Sequence, residues 1–412
     1  MSACACGTAA SSLRPVDEAI AELLERAPLP PRLERVPLAQ ALGRTLAAPV
    51  QAAGAMPAWD NSAMDGYALR AADLPDGEGW LPLAGRITAG DAALAELPAG
   101  TAVRIFTGAP LPPGADTVVP QELARAKDDG VWLASAPAGA NVRRQGEEFA
   151  AGSRVLEAGI RLRPQEIGLL ASLGCAEVTV YRPLRVALLS SGNELREPGQ
   201  ALAPGQIYNA NRYSLDGVLR SLGLEVHDGG ILVDELAASR DALGLAASEA
   251  DVLVTSGGVS VGEEDHLKQA VRELGELHLW RLAIQPGKPL AFGTVCGKPW
   301  IGLPGNPAAA LITALVVARP FLLRAQGRAE VLARPLRLPA AFEWAPGNPR
   351  RQYLRARLET FDGQPQVVLH PAQGSAMLAS ACWADGLALV ERGRTLGRGE
   401  LVDFLPFADL LG

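Results

Sequence analysis

The 412-residue sequence is poor in the side chains that build disulfide frameworks and histidine-based metal centres. Its four histidines are scattered along the chain and suggest no histidine metal site. The cysteines are odd in number and lack CxxC spacing: Cys4, Cys6, Cys175, Cys296 and Cys382. Cys4 and Cys6 could bind a soft metal, but a frayed tail explains them better. The cysteine pattern therefore predicts reduced thiols and a cytoplasmic protein.

Long basic runs and long apolar runs are also missing. The formal net charge of -7 argues against nonspecific binding of nucleic acid, and no basic run suits an anionic membrane surface. The first 20 residues lack a basic segment followed by an apolar core, so we expect no secretory signal. The longest apolar stretch, residues 308–318, is too short to span a bilayer. These absences predict no nucleic-acid partner and no membrane partner.

Lysine is scarce, because only four of the 38 basic residues are lysines. One of them, Lys288, lies in the sequence "QPGKP". A lysine in such a turn suggests a compact point charge that binds an oxyanion, and a chance surface position is the alternative.

The length and the order of patterns predict an α/β multidomain protein with four domains. A discontinuous mixed α/β domain combines residues 12–44, expected to form two helical pieces, with residues 151–182. Residues 45–150 form a β-rich module. Residues 183–326 form a central α/β domain with a doubly wound, mainly parallel sheet. Residues 327–412 form a C-terminal β-barrel-like domain.

Glycine-containing and polar loops follow the strands of the central domain. They include "SSGNEL", "SGGVSVGEED", "QPGKP" and "LPGNP". Ligands of an open parallel sheet bind beyond the carboxyl ends of its strands, so these loops are expected to share one edge. A single such loop would be weak support, because glycine often makes only a tight turn.

Two of these loops have the composition of anion sites. Gly257 and Gly258 let backbone N–H groups approach an anion, and the hydroxyls of Ser256 and Ser260 add donors. In "LPGNP", which includes Pro304, Gly305 and Asn306, the asparagine suits the N-cap of a helix that starts at Pro307. Taken alone, that motif is explained as a good helix start; beside the other loops it suggests a second anion pocket. The helix itself is apolar almost all round and is expected to be buried.

Carboxylates accompany these donors: Glu194, Asp234, Glu263, Glu264 and Asp265. Carboxylates beside phosphate donors suggest a divalent cation, usually Mg²⁺. Glu263 and Glu264 are explained by a preference for the first turn of the next helix. Asp234 and Asp265 are our candidates for the metal site.

The β-rich module contains two further polar loops, "DNSAMDGYALR" and "FTGAPLPPGAD". Asp60 and Asp65 belong to the first loop and Thr107 to the second. Locally, both segments could be simple turns.

Together these motifs carry a resemblance. "DNSAMDGYA", "TGAPLPPGAD", "RRQGEE", "SSGNEL", "SGGVSVGEED", "PGKP" and "GLPGNP" occur in an order that resembles the MoeA-type molybdopterin molybdenumtransferases, to which the C-terminal part of gephyrin is related. The resemblance extends from about residue 12 to the C-terminus. It implies insertion of molybdate into molybdopterin-adenylate with Mg²⁺, releasing AMP and molybdenum cofactor. It also implies a homodimer whose cleft lies between the central domain of one subunit and the β-rich module of the other.

The resemblance also implies roles for individual residues. Asp60, Asp65 and Thr107 would come from the partner subunit. Glu194, Asp234 and Asp265 would serve nucleotide and metal. The phosphate would be cradled by Ser256, Gly257, Gly258 and Ser260. The molybdate and dithiolene end would be faced by Lys288 and by the turn of Pro304, Gly305 and Asn306. Two residues of the C-terminal domain, Arg355 and Ser375, would approach the same end.

Three positions depart from the family pattern. Gln285 replaces the first lysine of Lys-Pro-Gly-Lys, Ala309 replaces a serine after the PGNP turn, and Asn193 replaces the aspartate of "GDEL". The first two changes remove one cation and one hydroxyl near the expected oxyanion site, which predicts weak molybdate affinity.

Two other functions stay open on the sequence alone. One is a non-catalytic molybdopterin-binding or scaffolding paralog, although the chain lacks a second sheet domain and a long linker. The other is adenylylation of molybdopterin, which a smaller protein performs. The molybdopterin adenylyltransferase and molybdoenzymes are candidate partners.

Overall fold

A computed structural model describes residues 13–74, 77–91, 96–259, 266–345 and 348–412. It confirms an α/β protein of more than one compact unit. The first unit comprises the chain up to Ala47, Gly159–Arg163 and Val178–Gly412, and the second comprises Ala48–Ala158 and Pro164–Glu177. The finer division into four domains stays a prediction.

The first unit is built on a six-stranded central sheet. Its order is Glu225–Leu232, Arg185–Ser191, Val252–Ser256, Lys298–Leu303, Pro289–Val295 and Leu277–Arg281. The first four strands are parallel, as the β/α alternation predicted. Strand Pro289–Val295 is antiparallel to Lys298–Leu303, because a two-residue turn connects Val295 to Lys298. Strand Leu277–Arg281 is in turn antiparallel to Pro289–Val295. Both turn residues, Cys296 and Gly297, have positive φ, which is typical of a hairpin turn.

Helices cover both faces of the central sheet, so the doubly wound arrangement is present. Strand side chains alternate between the two cores: Val186 and Leu188 join one, and Ala187 and Leu189 join the other. The first core also takes residues of helices Val16–Glu25, Ala210–Ser221 and Pro307–Ala325. The second core takes residues of helices Leu236–Glu249 and His266–Leu274.

The helix Pro307–Ala325 is the central element of the first core. Among the described residues it is the one helix long and apolar enough to cross a membrane by length and composition, yet 89% of its apolar window is buried inside the protein. It contains a π-helical stretch at Ala314–Ala318. The prediction of a buried core helix is therefore confirmed.

A second sheet occupies the C-terminal part of this unit. Its order is Ile284–Gln285, Arg351–Phe361, Gly386–Val390, Leu401–Pro406 and Leu336–Pro339, with Gln364–Leu369 paired on Arg351–Phe361. Two short helices, Ala379–Trp383 and Phe407–Leu411, accompany it. The strand Ile284–Gln285 belongs in sequence to the central domain but adds to this sheet in parallel, which connects the two sheets.

The N-terminal segment differs from the expectation of two helical pieces. Helix Val16–Glu25 is present, but the prediction of a second helical piece is wrong. Strand Leu33–Pro37 pairs there with Glu177–Tyr181, and only a 3₁₀ turn, Leu38–Gln40, follows. Gly43 has φ +79°, which ends the helical turn early, and the backbone of Leu33–Pro37 gains its partners in a strand instead.

The second unit is β-rich, as predicted. Its six-stranded sheet has the order Thr117–Pro120, Gly66–Leu69, Ala102–Ile105, Glu78–Ile87, Gly130–Ala134 and Ala124–Lys127. Short strands pair Asn61–Ser62 with Val142–Arg143 and Val50–Gln51 with Arg154–Leu156. The unit also contains helix Pro164–Ser172 and the 3₁₀ turns Ala71–Asp73 and Gln121–Leu123.

The remaining paired strands belong to the first unit. Leu195–Arg196 and Ile207–Tyr208 are parallel and bracket the segment that leads into helix Ala210–Ser221.

Asp251 gives a prediction about stability and pH. Its carboxylate accepts hydrogen bonds from the Arg185 amide (2.8 Å) and the Arg182 guanidinium (2.9 Å). Burial opposes the charged form, but these bonds outweigh burial and hold the pKa of Asp251 below its usual range. Asp251→Asn should cost about 2 kcal/mol of unfolding free energy at pH 7. Because the folded pKa is depressed, this difference from wild type should begin to shrink as pH falls below about 3.9 and should be lost as pH falls through the lower folded pKa.

Chemical denaturation of both proteins between pH 7 and pH 3 measures this difference. Asp241→Asn, an exposed change on helix Leu236–Glu249, is the control and should stay within about 0.5 kcal/mol of wild type. A deficit for Asp251→Asn that is unchanged at pH 3 would contradict the argument.

Candidate functional site

The carboxyl ends of the parallel strands align because their register is continuous. Ser191 lies opposite Leu232, Ser190 opposite Ser256, and Ser256 opposite Leu303. The loops that follow these strands therefore share one edge of the sheet. Strand Pro289–Val295 runs the other way, so its beginning lies at this edge and brings Lys288 there.

These loops and the C-terminal sheet domain line a cleft of about 1030 Å³. It contains ten of the residues predicted from sequence: Glu194, Asp234, Ser256, Gly257, Gly258, Lys288, Pro304, Gly305, Asn306 and Ser375. All three positions that depart from the family pattern, Asn193, Gln285 and Ala309, line it too. Ser260 and Asp265, with Glu263 and Glu264, lie outside the described residues.

The glycines of the "SGG" loop are required by close backbone approach. Gly257 has φ +85°, and a Cβ there would lie 2.3 Å from the Ser191 carbonyl oxygen. Gly258 has φ +64°, and its Cβ would meet the Leu267 side chain at 2.6 Å. A side chain at Gly257 would therefore displace the loop, and one at Gly258 would need a strained left-handed backbone and movement of the Leu267 side chain.

The PGNP turn is held from two sides. Asn306 precedes the helix that begins at Pro307, as predicted, but its side chain makes no cap hydrogen bond. Its Nδ2 donates to Ser375 Oγ at 3.1 Å, and the Ser375 carbonyl accepts from the Ala309 amide at 3.1 Å. Ser375 is thereby fixed against the start of the helix.

Asn211 is a cleft residue that sequence reasoning missed. It is buried at the start of helix Ala210–Ser221, and its Nδ2 donates to the Gly305 carbonyl at 2.7 Å. Its Oδ1 has no hydrogen-bond partner among the described residues. A buried acceptor without a partner is costly, so this oxygen is suited to a ligand N–H or O–H donor. No periodicity signal separates Asn211 from its polar neighbours in "NANR".

Two carboxylates line the acidic end of the cleft. Asp234 Oδ2 accepts a long hydrogen bond from Asn193 Nδ2 at 3.3 Å, and Glu194 folds back over Gly192. Within the described ranges, no group of three or more His, Cys, Asp or Glu side chains could hold a metal ion. Mg²⁺ needs fewer protein ligands than that, because it is usually bound by one or two carboxylates together with substrate phosphates. Asp234 and Glu194 fit this requirement.

Arg355 does not line the cleft. It is fully buried, and its guanidinium donates to Ser380 Oγ (2.9 Å) and to the carbonyls of Ala372 (3.2 Å) and Gly374 (3.0 Å). Burial lowers the pKa of Arg355 to about 10. Its contacts support the loop that carries Ser375, whereas the contact with substrate implied by the resemblance stays a prediction.

Arg350 is the second cleft residue that was missed. Its Nη2 donates to Gln285 Oε1 at 3.1 Å, and its backbone N donates to Asn348 Oδ1 at 3.1 Å. Asn348 Nδ2 donates to the same Gln285 oxygen. Lys288 is exposed at the same end of the cleft and makes no ion pair with any described residue.

Asp60, Asp65 and Thr107 belong to the second unit. Asp65 Oδ1 accepts from the Thr107 amide at 2.8 Å and hydroxyl at 2.7 Å, and these bonds, the amide first, hold the pKa of Asp65 below its usual range. Asp60 accepts from the Gln145 amide (2.7 Å) and Arg144 Nη1 (2.6 Å). The Gln145 bond is the main reason that the pKa of Asp60 is lowered.

The two polar loops of this unit are joined to each other. The Gly108 amide donates to the Ser62 carbonyl at 2.8 Å, and the Leu111 amide donates to the Asp60 carbonyl at 2.9 Å. The loops are therefore joined into one ordered surface, and they are not the two independent turns that local sequence also allowed.

Comparisons with known proteins agree along the chain. Three family profiles match in order: "MoeA N-terminal region (domain I and II)" over residues 14–174, "Probable molybdopterin binding domain" over 187–324 and "MoeA C-terminal region (domain IV)" over 337–407.

Individual relatives match over most of their length. A "Molybdopterin molybdenumtransferase" of Haemophilus influenzae is 38% identical over 96% of this chain and 99% of its own. One from Nostoc is 36% identical over 90% of this chain and 89% of its own. The crystal structure of a molybdopterin biosynthesis MoeA protein from Pyrococcus horikoshii has a TM-score of 0.82 at 26% identity, covering 96% of this chain and 100% of that one.

The Gly257 geometry gives a second prediction. In Gly257→Ala, the new Cβ would clash with the Ser191 carbonyl in a left-handed backbone, so the loop must move and stability should fall by about 1–3 kcal/mol. Gly244→Ala is the matched control: it lies within helix Leu236–Glu249 with open space around it, and it should be stabilising by about 0.5–1 kcal/mol. Chemical denaturation compares the two, and equal stabilities would show that the loop does not need glycine.

Proposed function

Because this chain belongs to the MoeA family of molybdopterin molybdenumtransferases, we propose that it inserts molybdate into molybdopterin-adenylate and releases AMP and molybdenum cofactor. The observation that carries the proposal is the single cleft that joins phosphate-type donors, carboxylates and a cationic end. A substrate with a phosphate group and a reacting oxyanion needs all three.

The "SGG" loop is suited to the phosphate of the substrate. Gly257 and Gly258 both have positive φ and leave the backbone uncovered, and the Ser256 hydroxyl lies at the end of the adjacent buried strand. Backbone N–H groups in such a turn make a concave anion site. Ser260 completes the cradle in this proposal.

Asp234 and Glu194, with Asp265, would hold Mg²⁺ beside the phosphate. The ion would supply positive charge that neutralises the phosphate oxygens. The protein's own contribution at this end is orientation, because Asn193 donates to Asp234 and limits the directions in which that carboxylate points.

The opposite end of the cleft would receive molybdate and the dithiolene. Lys288, Ser375 and Asn306 line it. Ser375 and Asn306 are hydrogen-bonded to each other, so their polar groups are in place before the substrate arrives. The buried Asn211 oxygen would accept a donor from the pterin part of the substrate.

The second unit would act in a homodimer. Asp60, Asp65 and Thr107 lie on the two joined polar loops, where Asp60 is ion-paired with Arg144 and Asp65 accepts from Thr107. We propose that these loops of one copy complete the cleft of another copy. A two-fold dimer would then contain two shared sites.

The reaction itself tests the function. Purified protein with molybdopterin-adenylate, Mg²⁺ and molybdate should release AMP, and omission of molybdate should abolish release. A chain that binds molybdopterin-adenylate but releases no AMP under these conditions would instead be a non-catalytic paralog.

Asp234 gives the third prediction. Asp234→Asn should lower Mg²⁺-dependent AMP release at least about tenfold, because an amide is a much poorer Mg²⁺ ligand than a carboxylate. Thermal stability should change little, because Asp234 is exposed. Asp362→Asn, in an exposed turn of the C-terminal sheet, is the control and should keep full activity. A large loss of stability in Asp234→Asn would indicate a structural role.

The shared site gives the fourth prediction. Asp65→Ala and Asp234→Ala should each be inactive alone. After the two are unfolded, mixed and refolded, a heterodimer regains one intact site, so about a quarter of wild-type activity should return if pairing is random. A mixture as inactive as its parts would place both residues in a site within one subunit.

A further inference from the structure

The geometry points to Arg350 as a residue that supplies positive charge at the oxyanion end of the cleft in addition to Lys288, acting together with the amide group of Gln285. This inference rests on the proposed function for the identity of the oxyanion. It replaces the expectation that Gln285 leaves this end short of a cation. Arg350 would bind the anion, whereas the buried Arg355 supports the loop that carries Ser375.

Backbone pairing brings Arg350 to this position. Strand Ile284–Gln285 pairs in parallel with the start of Arg351–Phe361, with Ile284 opposite Arg351. The Arg351 amide donates to the Ala283 carbonyl at 2.8 Å. Arg350 immediately precedes this pairing, so it lies beside Gln285 at the rim of the cleft, although the two are 65 positions apart in sequence.

The hydrogen bonds orient Gln285 toward an anion. Asn348 Oδ1 accepts from the Arg350 amide at 3.1 Å, which turns Asn348 Nδ2 toward Gln285. Gln285 Oε1 then accepts from both Asn348 Nδ2 and Arg350 Nη2. The oxygen of Gln285 thus faces two donors, while its NH₂ group makes no bond to any described residue. Gln285 lines the cleft, so this NH₂ group can donate to a ligand.

Arg350 forms no ion pair with a described carboxylate. Its acceptors in the described part of the chain, Gln285 and Asn348, are neutral. The adjacent Arg351 provides the contrast, since it is paired with both Asp17 and Glu391. A half-buried guanidinium that lines a cleft and has only neutral partners is suited to an anionic ligand, and its planar fork matches neighbouring oxyanion oxygens.

Arg350 and Gln285 thus provide a cation and a neutral donor where the family pattern has one lysine. Lys288 and Ser375 line the same end. A dianion such as molybdate would meet charge from Arg350 and Lys288 and uncharged donors from Gln285 and Ser375. The Ala309 change removes a hydroxyl but leaves these four groups in place.

Two variants test the inference through molybdate concentration. In Arg350→Gln, the half-saturating molybdate concentration for AMP release should rise about tenfold, while the rate at saturating molybdate stays within about twofold of wild type. Gln285→Glu keeps Arg350 but places a carboxylate beside it. It should raise the same concentration by more than tenfold without lowering thermal stability, because it neutralises the guanidinium and repels the anion.

Arg398→Gln is the matched control, because this arginine is exposed in the turn before strand Leu401–Pro406, does not line the cleft and should behave as wild type. Half-saturation should depend on salt more steeply in wild type than in Arg350→Gln. If Arg350→Gln and Gln285→Glu both match the control, the inference is overturned.

Equilibrium dialysis with molybdate alone separates this result from failure of the proposed function. If wild type releases no AMP but binds molybdate about tenfold more tightly than Arg350→Gln, the function is wrong and the oxyanion site is right. Equal molybdate binding by wild type, Arg350→Gln and Arg398→Gln would reject Arg350 as the cation, whether or not AMP is released.

Discussion

The cleft depends on the parallel register of the central sheet. Pairing of Ser190 with Ser256, and of Ser256 with Leu303, forces three chain segments to end at the same height. The cores on both faces fix that register, because a shift by one residue would exchange the side chains that face each core. The loops can therefore be rich in glycine and still hold defined positions, since their anchor points are rigid.

The second constraint is the short strand Ile284–Gln285. It leaves the central domain and joins the C-terminal sheet, so the two sheets meet at the oxyanion end of the cleft. Ser375 is held against the helix that starts at Pro307, and the buried Arg355 supports the loop before it. In the function we propose, this arrangement keeps the donors in position without the help of the substrate, which reduces the entropy lost on binding.

Sequence reasoning succeeded where local patterns determine structure. The alternation of apolar strands and amphipathic helices predicted the helices Ala210–Ser221 and Leu236–Glu249 and the parallel core. It failed in the second half of residues 12–44, where a second helical piece was predicted but only the 3₁₀ turn Leu38–Gln40 forms, and the preceding strand Leu33–Pro37 pairs with Glu177–Tyr181. Pairing with a segment more than 140 positions away is a tertiary effect that no local propensity contains.

The candidate site likewise contains some residues that local patterns predict and others that only the tertiary structure reveals. Glycine-rich loops and carboxylates could be identified because their composition is unusual, and ten of the predicted residues do line the cleft. Arginine is different, since the chain is rich in it and a motif does not reveal which guanidinium is buried by carbonyl groups and which faces a ligand. "RRQYLR" contains Arg350, Arg351 and Arg355 within six positions. Their surroundings differ completely: one lines the cleft with neutral partners, one is paired with two carboxylates, and one is buried among carbonyl and hydroxyl oxygens.

That contrast follows from register and from position along the strand. Arg350 and Arg351 are adjacent and point to opposite sides, whereas Arg351 and Arg355 share one face and differ in how far along the strand they lie. The pairing of Arg351 with Ile284 sets this arrangement, and it depends on the two sheets together. In the function we propose, Arg350 from a distant segment supplies the cation that the family pattern has at position 285, and the motif around Gln285 does not reveal it. The charge of an oxyanion site is a property of the assembled cleft, so a departure from a family motif predicts weak binding only after the neighbouring strands have been placed.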